Sequence, residues 1–109
     1  MDQNLVALRQ RMIETSLDFI RAQRAYLVAA APGARQSEAK LKKAAEGILL
    51  AAEPYEAALQ ELRQYLLAAE SSEAIAQELD HTERLINTLD KEKKLGLKLI
   101  ASTRKKYGF

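Results

Sequence analysis

Leu41, Ala45, Ile48, Ala52, Tyr55, Leu59, Leu62, Leu66 and Ala69 follow one another in steps of four and three residues without a fault. A 3.5-residue apolar period lays one continuous seam along a helix, and that seam demands helical partners to cover it. A chain carrying such a seam in its middle third folds as an all-α protein or leaves a long greasy stripe in water. Pro54 falls inside the seam. There it forfeits a backbone hydrogen bond and presses on the carbonyl four residues back, so the helix is either kinked or broken into two. The seam keeps its phase across the proline and Glu53 is a poor cap, which favours the kink.

The flanking segments repeat the pattern. Leu5, Leu8, Met12, Phe19 and Tyr26, with Val6, Ile13, Ile20 and Leu27 beside them, read as one broad apolar stripe ending at Ala31-Pro32-Gly33. Ser71 and Ser72 precede Glu73 and offer a helix N-cap with an acidic first turn. From there Ile75, Leu79, Thr82, Ile86 and Leu89 define a third stripe, which Lys93 interrupts and Gly96 leaves with a gap. With only two prolines and four glycines to punctuate 109 residues, short connections make the helices antiparallel neighbours. The sequence predicts a single domain, an up-down-up bundle of three long helices over about 2–31, 35–70 and 72–107. Its packing is expected to be coiled-coil-like.

Charge is segregated although the net value is only +2. Residues 38–90 hold eleven acids and five bases, whereas residues 91–109 hold seven Lys or Arg and one Glu. Cations suit the C-terminal end of a helix, so part of this excess is ordinary helix chemistry. Lys91, Lys94, Lys98 and Lys105 form one ridge on the face opposite the third apolar stripe, at about 100° per residue. In an up-down-up bundle this ridge, with Arg104 and Lys106, lies near Arg21, Arg24, Arg35, Lys40, Lys42 and Lys43. The result is a rod with a basic pole and an acidic pole, suited to anionic partners.

Catalytic constellations are not evident. His81 is the sole histidine, and Glu78-Leu79-Asp80-His81 supplies one Glu-x-x-His pair where a di-iron carboxylate site needs two with further carboxylates. The heptad phase turns His81 outward. Ser16, Ser37, Ser71, Ser72 and Ser102 have no base in view, and the glycines stand apart rather than in a phosphate-binding loop. There is no cysteine and no apolar run near the ~20 residues that span a bilayer. The expectation is therefore a cytoplasmic protein with no catalytic residues, no cofactor and no metal.

Leu17, Leu50 and Leu97 fall outside the core stripes and suggest an interface. In length, helicity and charge the chain resembles the small helical adaptors and chaperones of bacterial flagellar and type III export, a likeness of gross features that no motif carries. The function expected is a non-enzymatic protein–protein interaction module (an adaptor, chaperone-like protein or self-assembling bundle) that engages an acidic partner or another copy of itself as a homo-oligomer. Nucleic-acid binding through the C-terminal helix is the alternative. It lacks a helix-turn-helix, zinc-finger or aromatic RNA-binding motif. A membrane surface is disfavoured, because the apolar side of the basic helix is narrow.

Overall fold

A computed structural model describes residues 3–31 and 38–107 and consists of three helices, α1 (Gln3–Ala29), α2 (Glu38–Ala68) and α3 (Glu73–Tyr107). The expected up-down-up bundle is what forms, with each helix one to three residues shorter at its ends than the sequence pattern suggests, apart from the C-terminal end of α3. Residues 32–37, with Pro32, Gly33 and Arg35, lie outside the described residues, as do Gly108 and Phe109.

Side-chain pairs fix the registers. Arg11 of α1 bridges to Glu61 of α2 at 2.6 Å, so the two helices run antiparallel. Arg9 grips Glu78 with two guanidinium nitrogens, and Gln23 donates to Glu92 at 3.2 Å. Both pairs are separated by 69 residues, the constant offset of two parallel helices. Lys93 reaches from α3 to Glu56 of α2 at 2.5 Å. Its place in the apolar row of α3 is thus an ion pair laid over the α2–α3 seam rather than a break in packing.

The α2 seam is buried from Leu41 through Leu66 and forms the spine of the core, joined by Phe19, Tyr26 and Leu89. Thr82 of α3 is a buried polar residue; its hydroxyl donates to the Glu78 carbonyl at 2.8 Å, which satisfies it. Gly96 is buried as well, and a β-carbon there would meet Ile48 Cγ2 at 3.6 Å. The gap expected at Gly96 is therefore filled from α2.

Packing is uneven. α2 lies against both neighbours, but among the described residues no α1 Cα comes within 8 Å of an α3 Cα. Long polar side chains span the distance instead. This corrects the reading of α1: its apolar stripe is two rows, not one. Phe19 and Tyr26 are buried on the α2 side, while Val6, Ile13, Ile20 and Leu27 remain exposed because no helix covers them. The molecule is consequently a thin rod of 53 × 21 × 19 Å. Its radius of gyration is 17.0 Å, where a compact chain of about this length measures about 13 Å.

Pro54 lies within α2, which runs unbroken past it. Leu50 and Pro54 are both exposed, on the water-facing side of the helix, where solvent can replace the donor that Pro54 lacks. At the start of α3, Ser72 is the cap: its Oγ accepts from the Ile75 N–H at 3.2 Å. Ser72→Ala is expected to lower stability by about 1 kcal/mol, read as a lower urea midpoint with an unchanged m-value.

Candidate interaction surface

Two surfaces stand out from the bundle. The first is the basic pole. α1 ends, α2 begins and α3 ends at the same tip of the rod, and Arg24 shares a cleft wall with Glu92, Leu95 and Gly96. Arg21 projects from the outer face of α1 and lies 3.5 Å from Asp18. Lys40, Lys42 and Lys43 occupy the first turns of α2, with Lys42 at 4.0 Å from Glu46. Lys91, Lys94 and Lys98 form the exposed ridge of α3, and Lys94 pairs with Asp90 at 3.0 Å. Arg104, Lys105 and Lys106 belong to the last turns of α3, and their side chains lie outside the described residues. The described cations lie on three different helices at this tip. Arg24, Lys43, Lys91 and Lys98 make no ion pair among the described residues.

The second surface is apolar. Between α1 and α3, over the floor provided by α2, runs a cleft of about 340 Å³ lined by Ile20, Gln23, Tyr26, Leu27, Ile48 and Leu95 among others. A smaller one of about 150 Å³ continues it along Ser16, Phe19, Tyr55, Leu85 and Leu89. Ile20 and Leu27 of the exposed α1 row border it, Leu27 at 65% exposure, and the row continues beyond it with Ile13 at 53%. Burial raises the Tyr55 phenol above its ordinary pKa, and the Glu92 carboxylate adds to the effect.

Leu17, Leu50 and Leu97 are all exposed, each on a different helix. Leu17 belongs to the outer α1 row. Leu50 sits beside Pro54 on the far side of α2, and Leu97 flanks the lysine ridge of α3. Leu67, next to the buried Leu66 of the α2 seam, is 54% exposed. Val6, Ile13, Ile20 and Leu27 are the surface residues that sequence pattern assigned to the core. Their spacing of seven residues was the available signal.

Glu78 and His81 do not form an open ligand pair. His81 is exposed, and the Glu78 carboxylate is taken up by Arg9, whose hydrogen bonds hold it below the usual carboxylate pKa. Among the described residues, no three His, Asp or Glu side chains converge as metal ligands, and no helix is long and apolar enough to cross a membrane.

Fold and surface together define a slender three-helix bundle with one basic tip and one uncovered apolar helix face. No family model matches the chain, and neither a curated protein nor a solved structure shows significant similarity to it.

Proposed function

We propose that the protein is a non-catalytic interaction module whose α3 lysine ridge receives an acidic amphipathic helix of another protein. The observation that supports this reading is the composition of the ridge and its borders. Lys91, Lys94 and Lys98 are spaced three and four residues apart, which matches carboxylates at the same spacing on a facing helix. Leu95 and Leu97 flank the ridge on either side and are both more than half exposed. Apolar flanks suit a protein helix with its own apolar residues. A polyphosphate backbone has nothing to place against them.

The test compares two probes at about 0.15 M salt, a Glu-rich amphipathic peptide and a duplex DNA of random sequence. The peptide is expected to bind saturably to the native protein. Lys91→Glu/Lys94→Glu/Lys98→Glu should weaken it at least about tenfold, the size expected for several charge pairs reversed together. Tighter binding of the duplex, with affinity falling steeply as salt rises, would replace this reading with a nucleic-acid one.

A further inference from the structure

The outer row of α1 does not end with isolated residues. Val6, Ile13, Ile20 and Leu27 recur every seven residues, and Gln10, Leu17 and Arg24 fall four residues after the first three of them. Together they form a second coiled-coil seam, about 120° around the helix from the row that meets α2. All four apolar members of the heptad row and Leu17 are exposed. One helix thus carries two seams, of which the bundle uses one. We infer that the second seam pairs with the same seam of a second copy, α1 against α1, in antiparallel orientation.

Three observations select the occupant and its direction. In a parallel pair, Arg24 would face Arg24 and Gln10 would face Gln10 in the seam itself. Glu14 could then look only to Arg9, which Glu78 already holds. In an antiparallel pair, Leu17 meets Ile20, and Arg24 packs its stem on Ile13 with its head near Glu14 of the second copy. On the flank of the same register, Glu14 stands beside Arg21 of the second copy, and two-fold symmetry makes that pair twice. Among the described residues of the single chain, Glu14 makes no ion pair and accepts from the Gln10 amide, and Arg21 has the 3.5 Å contact with Asp18, in which both side chains are largely exposed.

The charge of the whole rod agrees. Antiparallel pairing sets the basic pole of one copy beside the end of the other that bears Glu61, Glu70, Glu73, Glu78, Asp80 and Glu83. Arg9, Arg11, Arg63 and Arg84 pair with four of these, and a negative excess remains with Glu70 and Glu73. The exposed area agrees too. The chain presents 7652 Å², whereas a compact monomer of its mass presents about 6,100 Å². An interface of standard size removes about 800 Å² from each partner. The α3 lysine ridge stays outside this interface, so a dimer displays one ridge at each end.

Light scattering across a concentration series tests the pairing. The native chain is expected to approach twice its 12.2 kDa mass. Ile13→Lys/Ile20→Lys should leave a folded monomer by circular dichroism, since both positions are exposed in the single chain. Glu14→Arg and Arg21→Glu are each expected to weaken the dimer by about tenfold through two reversed pairs. Their combination should restore it, which only the antiparallel register predicts. A monomer at every concentration overturns the proposal, as does a dimer indifferent to Ile13→Lys/Ile20→Lys. Failure of the double swap to restore pairing overturns the register. Lys91→Glu/Lys94→Glu/Lys98→Glu is expected to dimerise normally, so loss of peptide binding and loss of dimer are read separately.

Discussion

Phe19→Ala is expected to lower stability by about 3–5 kcal/mol, the usual cost of emptying a large aromatic site. Small domains have only about 5–15 kcal/mol in total, so the variant would lose a large share of its folded margin. Several features place Phe19 at the top of the range. It is 2% exposed, and its ring lies 5.8 Å from that of Tyr55 at a tilted 37°. It also borders the cleft whose other walls are Leu85 and Leu89 of α3. Phe19 belongs to the core cluster that takes in Leu89 of α3 as well as the α2 seam. Truncation would join the vacated volume to a cleft already open to water, and little of the loss could be recovered by collapse. Urea denaturation gives the value directly. Leu50→Ala, on the water-facing side of α2, is the control and should change stability by no more than about 0.5 kcal/mol.

What could be read in the sequence follows from how completely each stripe is covered. The α2 seam was legible along its length because α2 is the central helix, flanked on both sides, and every seam residue from Leu41 to Leu66 has something to pack on. A serine cap at Ser71 or Ser72 was legible because cap chemistry is local: a hydroxyl, a following acid and a turn suffice. The α1 rows were misread for a non-local reason. Periodicity records that Ile13 and Ile20 share a helix side with Met12 and Phe19. It does not record how many neighbours stand there to cover that side. Lys93 illustrates the same limit from the other direction. A charge in an apolar row looks like a defect until Glu56 is found across the seam.

Ala52→Leu is expected to destabilise the bundle by about 1–3 kcal/mol through overpacking. Ala52 is 0% exposed, and Ala45, seven residues earlier, is 2% exposed. By the antiparallel register that pairs Arg11 with Glu61, Ala52 falls within one residue of the level of Phe19 and Ala45 within one residue of that of Tyr26. The Phe19 ring meets that of Tyr55, and the small Ala52, one turn before Tyr55 on the buried face of α2, leaves room for α1 to approach. A leucine at position 52 must displace Phe19 or push α1 away. The register makes a sharper forecast for the pair: in Phe19→Ala/Ala52→Leu, the new side chain occupies the space the ring has left. The double variant should be more stable than Phe19→Ala alone, with a coupling of about 0.5–3 kcal/mol in a double-mutant cycle. Simple additivity of the two losses would mean that residues 19 and 52 do not share a site, and the α1–α2 register would have to be redrawn.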